Sequence, residues 1–172
     1  LYTWGKNDAG QLGNNAIVNQ SSPVVIGASS WTAISAGGSP GTMQGILSTG
    51  ALFGWGTNTN GQVGDTTTLY RSSPVVISSG SSFTAVSTGW DHATAIATNG
   101  TLFSWGSGSY GQIGSPVGWS TVAITGNGSL GLRTDGTLFV WGSNSNGGLG
   151  NSTSVGNTLT PTQLAGSYIV VA

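Results

Sequence analysis

The chain repeats one short motif four times, and this repetition constrains the fold more than any other feature of the sequence. Each copy has a leucine, an aromatic residue, a variable residue and then tryptophan followed by glycine. Counted from the tryptophan, glycines stand at +1, +6 and +9, and an aliphatic residue stands at +8. The four tryptophans are Trp4, Trp55, Trp105 and Trp141. A period near 50 residues is typical of propellers and solenoids, whose units bury their faces only by stacking on one another.

The low content of charged residues limits the partners that this chain can bind. Only 4% of the 172 residues are charged, whereas about 25% is typical of a soluble domain. The three lysine and arginine residues form no basic patch for a nucleic-acid backbone or an anionic membrane. No apolar run approaches the roughly 20 residues of a membrane span. We therefore expect a folded domain that binds no nucleic acid and does not insert into membranes.

Each repeat contains the patterns of four short strands. The motif itself has the aromatic and β-branched bias of a strand. A Ser-Pro-Val-Val segment, at Ser22–Val25 and Ser73–Val76, has proline near its start, where an edge strand tolerates it. A third strand begins with an aromatic residue, and a fourth ends at a glycine-closed turn before the next leucine. The leading aromatic residues are Trp31, Phe83, Trp119 and Tyr168, and the closing glycines are Gly50, Gly100 and Gly136. Four strands in about 50 residues predict an all-β fold of propeller blades.

The repeats differ in length, which predicts unequal blades. Their bounds are 1–50, 51–100, 101–136 and 137–172. The third repeat is shortened, because Trp119 follows soon after Gly114 and a loop equivalent to residues 14–21 is missing. The fourth repeat ends before its glycine-closed strand. We therefore predict one partial propeller domain of roughly 3.5 blades, each with four antiparallel strands, and an incomplete last blade.

The tryptophans and glycines of the motif are predicted to form the contacts between blades. Each tryptophan is expected to pack against the neighbouring blade. The two glycines of the following turn indicate a backbone with positive φ, and the aliphatic residue between them is expected to point inward. The residues assigned to blade packing are Trp4, Trp55, Trp105, Trp141, Gly5, Gly56, Gly106 and Gly142.

Together these motifs resemble the repeat of the regulator-of-chromosome-condensation family, and the resemblance covers essentially the whole chain. That repeat combines the leucine–aromatic–x–tryptophan–glycine strand, a Gly-Gln-Leu-Gly turn and a later Asp-Gly or Asn-Gly turn. Residues 89–96 also match the Gly-x-x-His-x-x-Ala-Ile run of the family. The resemblance implies a ring of about seven four-stranded blades and a structural role for His92 near a blade turn.

A complete ring of this kind is longer than the chain. Seven blades of about 50 residues need roughly 350 residues. An isolated half-ring exposes two blade faces and an unpaired strand edge, which favours association with another chain. We therefore expect either a missing propeller half or self-association. A closed ring of four blades is the alternative, and the unfinished fourth repeat argues against it.

No group of residues in the sequence indicates catalysis or a bound cofactor. His92 is the only histidine, and its neighbour Asp91 is expected to point to the opposite face of a strand. The loops at 7–10 and 58–61 resemble calcium loops in outline, but calcium sites need several carboxylates and commonly a bidentate glutamate. The chain has no cysteine and no glutamate. We predict no enzyme activity, no catalytic residue, no cofactor and no metal site.

The main functional hypothesis is a non-catalytic structural or binding module. Its charge-poor surface, rich in Ser, Thr, Asn and Gly, resembles bacterial, environmental and phage members of the family. This predicts a larger secreted, cell-surface or virion protein, and an extracellular, cell-surface or virion location. Loops 14–21, 65–72 and 152–160 vary while the framework recurs, as expected of loops that bind a protein or a glycan. Candidate contact residues are Asn15, Asn19, Thr67, Tyr70, Arg71, Thr153 and Asn157.

The alternative hypothesis is a regulator that acts like a guanine-nucleotide exchange factor on a small GTPase. The resemblance to the family implies this activity, together with an extended insertion that acts as a wedge and charged residues on one face. The sequence shows no such insertion. Chromatin binding, another activity in the family, conflicts with the low content of positive charge.

Overall fold

The computed structural model describes residues 1–27, 29–78, 80–109, 118–154 and 156–164, and the regular structure of these residues is entirely β-strand. Thirteen strands form four antiparallel sheets in this part of the chain. The prediction of an all-β fold built from antiparallel blades is confirmed. Within the same residues there is no helix of the length and apolarity that crossing a membrane requires.

The strands follow the four sequence patterns. The first sheet pairs β1 (Tyr2–Gly5) with β2 (Gln20–Val25). The second has the order β3 (Trp31–Gly37), β4 (Thr42–Leu47), β5 (Leu52–Gly56), β6 (Arg71–Ser78). The third has the order β7 (Phe83–Thr88), β8 (His92–Ala97), β9 (Leu102–Gly106). The fourth has the order β10 (Trp119–Thr125), β11 (Gly128–Arg133), β12 (Leu138–Gly142), β13 (Thr158–Gln163).

The sheets are offset from the sequence repeats by about half a repeat. The second sheet takes β3 and β4 from the first repeat and β5 and β6 from the second, because the hairpin at Gly50 pairs Ile46 with Leu52. The last described sheet joins β10 and β11 of the third repeat to β12 and β13 of the fourth. The incomplete last repeat stays a prediction, because its final residues lie outside the described segments. The two-stranded sheet is the first one. The predicted strand at Tyr168 and the shortened segment 110–117 lie outside the described residues.

Consecutive sheets pack face to face and bury two apolar clusters. The cluster between the second and third sheets contains Ile46, Leu52, Phe83, Ala95 and Ala97. The cluster between the third and fourth sheets contains Ile96, Leu102, Trp119, Val122 and Trp141. Burying one leucine, isoleucine or phenylalanine side chain stabilises a fold by about 1.5–3 kcal/mol. Because each cluster draws on two sheets, neither sheet can bury its apolar face alone.

In the second sheet, a large aromatic ring lies over a glycine. Trp31 begins β3, and its ring centroid lies 5.7 Å from that of Phe53 and 5.6 Å from that of Trp55. A Cβ atom at Gly45 would lie only 2.5 Å from the Trp31 ring. Glycine is therefore required on β4, where the two strands must leave room for the indole.

In the third and fourth sheets, the size of the aromatic ring on the first strand varies together with the size of the residue beneath it on the second strand. In the fourth sheet Trp119 lies over Gly131, where an added Cβ would approach the ring to 2.4 Å. In the third sheet the smaller Phe83 stands at the start of β7, and Ala95 occupies the corresponding position on β8. The larger indole is thus paired with glycine and the smaller phenyl ring with alanine, as close packing favours.

Candidate functional site

Each described joint between repeats is built from a tryptophan and the turn of the preceding repeat. We call the segment from the +6 to the +9 glycine the glycine turn, and the described turns are residues 10–13, 61–64 and 147–150. Trp55 is fully buried, and its Nε1 donates a hydrogen bond to the Gln11 carbonyl oxygen at 3.0 Å. A Cβ on Gly13 would lie 2.8 Å from this Nε1, so glycine alone fits beneath the indole.

The second joint repeats this geometry. Trp105 Nε1 donates to the Gln62 carbonyl oxygen at 2.9 Å, and a Cβ on Gly64 would lie 2.6 Å from Trp105 Nε1. Trp141 is also fully buried, but the turn before it, residues 111–114, lies outside the described segments. The predicted packing of Trp4 against a neighbouring blade is not observed among the described residues, because the Trp4 side chain is 61% exposed. The described residues supply no glycine turn to cover it.

The glycine that follows each motif tryptophan adopts a conformation that other residues avoid. The φ angles are 105°, 93°, 99° and 103° at Gly5, Gly56, Gly106 and Gly142. In addition, a Cβ on Gly56 would lie 2.4 Å from the Gly41 carbonyl oxygen. The positive φ favours glycine at all four positions, and at Gly56 the close carbonyl oxygen excludes a side chain as well.

The glycine turns have the backbone that the sequence predicts. Gly10 and Gly13 have φ angles of 77° and 73°. The aliphatic residue between the glycines is buried in each described turn, at Leu12, Val63 and Leu149. The predicted positive φ and inward-pointing side chain are confirmed in these turns.

A buried asparagine organises the loop beyond the turn, and sequence analysis missed it. Asn58 is fully buried, and its Oδ1 accepts a hydrogen bond from the Val63 backbone at 2.8 Å. Its Nδ2 donates to Asp65 Oδ1 at 3.0 Å and to the carbonyl oxygens of Thr67 and Leu69 at 2.9 and 3.1 Å. One side chain therefore connects the glycine turn to both ends of the loop.

The same arrangement recurs at Asn7 and Asn144. The sequence carries a signal for it, because asparagine stands at +3 from the tryptophan and asparagine or aspartate stands at +10. The third repeat lacks the loop, and there Gly108 and Ser115 replace both residues. The loops that resemble calcium loops are thus closed by amide hydrogen bonds. The described segments contain no group of three or more His, Cys, Asp and Glu that could hold a metal ion.

In the first loop, the candidate contact residues hold the loop in place. Asn15 has a φ of 62°, and its backbone N donates to the Ser72 carbonyl oxygen at 2.7 Å. Asn19 Oδ1 accepts a hydrogen bond from the Asn7 backbone at 2.8 Å. Both residues are exposed, but the Asn15 backbone N and Asn19 Oδ1 are already used within the chain.

The second loop contains an ion pair and one exposed aromatic residue. Arg71 Nε donates to Asp65 Oδ2, and Arg71 Nη2 donates to Thr67 Oγ1 at 3.2 Å. Burial alone would raise the pKa of Asp65, but hydrogen bonds from Thr67 and Arg71 outweigh burial and hold the pKa below its usual value. Tyr70 remains 49% exposed and is the candidate of this loop that is available to a partner.

In the third loop, Thr153 and Asn157 are both exposed. The hydroxyl and carbonyl oxygens of Thr153 accept hydrogen bonds from Asn144 Nδ2 at 2.8 and 3.0 Å. Thr153 therefore has the structural role that Thr67 has in the second loop.

An open cleft with two exposed aromatic residues lies beside the second loop. This rim cleft has a volume of about 550 Å³, and its lining includes Thr59, Asn60, Tyr70, Trp90, Asp91 and Asn127. Trp90 is 66% exposed, and its backbone N donates to the Gly126 carbonyl oxygen at 3.2 Å. A smaller cleft of about 250 Å³ also contains Trp90 and Asn127 in its lining. Sequence analysis did not select Trp90, although it is the one tryptophan that neither leads a strand nor belongs to the motif.

His92 lies between the third and fourth sheets, where it has no exposed surface. Its Nε2 is 3.1 Å from Ser129 Oγ, and its Nδ1 is 3.6 Å from Asp91 Oδ1. The expectation that Asp91 points to the opposite face is wrong, because Asp91 precedes β8 in a turn and its carboxylate folds back. Burial lowers the pKa of His92, and the negative charge of Asp91 offsets this only in part. The buried ring connects two blades, and it is closed to any substrate.

Comparison with family models identifies the repeat. The model described as the Regulator of chromosome condensation (RCC1) repeat matches residues 1–39, 49–96 and 135–171. A second model with the same description matches residues 83–112 and 119–147. The search of curated proteins gives no significant match.

Solved structures share this fold at low sequence identity. Human WBSCR16 superposes with a TM-score of 0.81 and 23% identity, over 95% of this chain and 47% of that structure. Prp20p from Saccharomyces cerevisiae, described with its binding properties to Gsp1p and histones, gives 0.80 and 22%, over 99% and 47%. Yeast RCC1 (Prp20) in complex with Kap60 gives 0.81 and 18%, over 96% and 44%. The chain therefore spans about half the length of these structures.

These similarities contradict the predicted location. Prp20 is described with Gsp1p, histones and Kap60 as its partners, and neither it nor WBSCR16 points to a protein outside the cell or on a virion. The prediction of an extracellular, cell-surface or virion location is wrong. Because the family model matches more than half of the chain, this protein belongs to the regulator of chromosome condensation (RCC1) repeat family.

Proposed function

We propose that the chain is a non-catalytic module that binds a protein, and that the rim cleft receives this partner. The observation that carries the proposal is the pair of exposed aromatic residues, Tyr70 and Trp90, at one cleft. Tryptophan and tyrosine are enriched among the residues that dominate the binding energy of protein interfaces. A soluble domain gains nothing in stability by exposing two such side chains at one place.

The polar groups around these rings also suit a protein surface. The lining described for the rim cleft has Asp91 as its one charged side chain, and Thr59, Asn60 and Asn127 provide uncharged hydrogen-bonding groups. Antibody binding sites combine the same elements, with rigid aromatic anchors among small or amide side chains that adapt their hydrogen bonds. Such a surface recognises shape and hydrogen bonding rather than charge.

The cleft is also held in place before a partner arrives. Trp90 lies in a turn whose backbone is fixed by the bond to Gly126 and by a bond of 2.8 Å from Gly89 N to the His92 carbonyl oxygen. On the other side, Asn58 holds the carbonyl oxygen of Leu69, the residue before Tyr70, at 3.1 Å. Anchors on a rigid backbone bind more tightly because less entropy is lost on association.

Binding measurements with Trp90→Ala test the proposal. The partners to be tested first are Gsp1p, histones and Kap60, the proteins described with the similar yeast protein. We expect the wild-type chain to bind one of them, and Trp90→Ala to weaken binding by about tenfold or more. Leu159→Ala is the matched control, because Leu159 is exposed to the same 66% but lies on β13.

A photo-crosslinking amino acid in place of Trp90 extends the test to partners outside this panel. Expressed in the source cells, this variant is expected to crosslink a protein that the same amino acid at position 159 does not. If both positions crosslink the same proteins, and Trp90→Ala binds as well as wild type, the rim cleft is not the binding site.

Nucleotide exchange on a small GTPase is the second candidate function. The observation that favours it is the superposition of 99% of this chain on Prp20p, which is described with its binding to Gsp1p. The test is the release of a fluorescent GDP analogue from a small GTPase, with chelation of magnesium as the positive control. We expect faster release in the presence of the chain and slower release with Trp90→Ala. Binding without faster release would contradict exchange and leave the binding module intact.

A further inference from the structure

One charged side chain, that of Asp91, stands in the rim cleft, whose described lining is otherwise uncharged. Asp91 follows Trp90 in the turn before β8, and its side chain is 23% exposed. The exposed rings of Trp90 and Tyr70 line the same cleft. A carboxylate beside aromatic rings attracts a cation, both by its own charge and through the negative faces of the rings. Over most of its lining the cleft recognises shape and hydrogen bonding, and at Asp91 it adds a charge.

The histidine beside Asp91 leaves the negative charge of the carboxylate in place. His92 Nδ1 lies 3.6 Å from Asp91 Oδ1. Burial lowers the pKa of His92 below its usual value of 6.5, so the ring is uncharged at neutral pH. An ionised carboxylate has about four acceptor positions, so contacts within the fold and a contact with a partner are compatible. Asp91 therefore brings a negative charge to the rim cleft.

A cation that meets this carboxylate has to come from another molecule. The chain has three lysine and arginine residues, and all three have partners elsewhere. Lys6 pairs with Asp8 at 2.9 Å, Arg71 pairs with Asp65, and Arg133 lies over aromatic rings of the fourth sheet. None of the three is in the described lining of the rim cleft. Charge complementarity therefore favours a partner that supplies a cationic side chain.

Arginine fits the rim cleft better than lysine does. A guanidinium is planar, so it stacks on an aromatic ring while its N–H groups donate to a carboxylate, whereas an ammonium has no flat face. The fourth sheet already holds a guanidinium in this way, since Arg133 Cζ lies 4.4 Å from the ring centroid of Phe139 and 5.3 Å from that of Trp119. The rim cleft offers aromatic rings together with a carboxylate, which Arg133 does not have in its stack.

We propose that the rim cleft binds an arginine side chain of the partner protein, with the guanidinium against Asp91 and the rings of Trp90 and Tyr70. This inference rests on the proposed function, because it names the chemical group of a protein partner that the cleft receives. The cleft volume of about 550 Å³ lies within the range of about 300–1,000 Å³ that is typical of ligand sites. The residues that flank the arginine in the partner therefore fit as well.

Short blocked peptides test the inference before any partner is known. Three peptides have the same sequence except for one central residue, which is arginine, its uncharged analogue citrulline, or lysine. Their affinities are measured from the shift of the Trp90 indole N–H resonance in chain labelled with ¹⁵N-tryptophan. We expect the arginine peptide to bind about tenfold more tightly than the citrulline peptide, and more tightly than the lysine peptide. Equal binding of the arginine and citrulline peptides would overturn the inference, and tighter binding of the lysine peptide would overturn the choice of arginine.

Two pairs of variants assign the contact to named side chains. Asp91→Asn is expected to lower the affinity for the arginine peptide to that for the citrulline peptide. Asp135→Asn removes the same charge from an exposed turn outside the described lining and should bind like wild type. Tyr70→Leu should weaken binding of the arginine peptide, and Tyr70→Phe, which keeps the ring, should not. The resonances of the other indoles show that each variant is folded, and a folded Asp91→Asn that keeps the preference for arginine would contradict the inference.

These outcomes are separate from those that test the proposed function. If a whole protein needs Trp90 for binding while the arginine and citrulline peptides bind equally, the binding module stands and the arginine site is overturned. If the peptides show the preference for arginine while no whole protein binds through Trp90, the arginine site stands and the proposed function is contradicted.

Discussion

Trp55 and Trp4 occupy the same position of the repeated motif but lie in opposite environments. Trp55 is fully buried against the turn of the first repeat, and Trp4 is 61% exposed. Their strands nevertheless have the same local structure, because the following glycines have φ angles of 93° at Gly56 and 105° at Gly5. The repeat sequence therefore determines the strand and its turn, while the neighbouring repeat determines whether the indole is buried.

This comparison shows where the stability of the fold comes from. A blade whose apolar face meets another blade gains the burial energy, and a blade at an open end does not, as in other repeat proteins. Substitutions at equivalent positions are thus expected to differ in cost when they affect a joint, and to be equal in cost when they affect the inside of a repeat.

The largest effect is expected at the closed joint. Trp55→Ala removes a buried indole and its hydrogen bond to Gln11, which we expect to lower the free energy of unfolding by about 3–5 kcal/mol. Trp4→Ala removes an exposed indole and is expected to change the free energy of unfolding of the monomer by less than about 0.5 kcal/mol. Urea unfolding followed by circular dichroism, at concentrations where the chain is monomeric, measures both. Equal costs would break the comparison.

The buried asparagines test the comparison between the first and second repeats further, because each asparagine makes its contacts inside its own repeat. Asn58→Ala leaves the backbone groups of residues 63, 67 and 69 without their partner, and we expect a loss of about 2–3 kcal/mol in the free energy of unfolding. Asn7→Ala in the first repeat is expected to cost the same as Asn58→Ala, whereas Trp4→Ala and Trp55→Ala are expected to differ. Asn60→Ala is the control, since Asn60 is exposed and its change should cost little. Thermal and urea unfolding measure all three, and a much smaller cost for Asn7→Ala would contradict the role of the loop.

A substitution beneath a ring inside one sheet is expected to lower the free energy of unfolding less, and a smaller ring is expected to restore part of the loss. Gly131→Ala forces a Cβ to within 2.4 Å of the Trp119 ring, and we expect it to lower the free energy of unfolding by about 1–3 kcal/mol. Adding Trp119→Phe reproduces the phenylalanine and alanine pair of the third sheet, so the double variant should lose less than the sum of the single losses. Gly148→Ala, where an added Cβ would meet no atom of the described residues within 4 Å, is the control. Additive losses would show that ring size and glycine are not coupled.

The smallest effect is a pH dependence at the contact between the third and fourth sheets. The pKa of His92 in the fold lies below its usual value of 6.5, chiefly because of burial. The unfolded chain therefore binds a proton more readily, and stability should fall as pH drops below about 6.5 towards the lowered pKa. His92→Gln should remove this part of the dependence, although the variant is less stable at every pH. Urea unfolding between pH 7.5 and 5 measures the slope, and an unchanged slope in the variant would assign the effect to another group.

Local features of the fold follow from the sequence because they depend on near neighbours. The strand at each motif tryptophan, the positive φ of Gly10 and Gly13 and the buried Leu12 were all predicted from spacing and residue type. The division into sheets was not, since the hairpin that pairs Ile46 with Leu52 joins strands of different repeats. Repeat bounds mark where a pattern begins, and hydrogen bonds decide which strands form a blade.

The candidate site was less predictable, because exposure is a property of the whole fold. Asn15 and Asn19 are typical loop residues, yet the Asn15 backbone N and Asn19 Oδ1 hold the loop in place. Trp90 belongs to no repeated position of the motif, so the sequence does not indicate its exposure. The structure places it in the turn before β8, where it lines the rim cleft. The location was predicted wrongly because the low charge of a surface determines how it interacts with water. That property does not specify a cellular compartment.

Hydrogen exchange of the indole N–H groups tests most directly whether neighbouring blades are joined by the motif tryptophans. In a spectrum with ¹⁵N-labelled tryptophan, the Nε1 proton of Trp55 should exchange at least about a hundredfold more slowly than that of Trp90, because a buried and hydrogen-bonded proton exchanges only when the structure opens. Trp90 provides the exposed reference within the same molecule. Comparable exchange rates for the two protons would show that the indole of Trp55 is not held on the glycine turn, and would contradict the stacked arrangement of the blades.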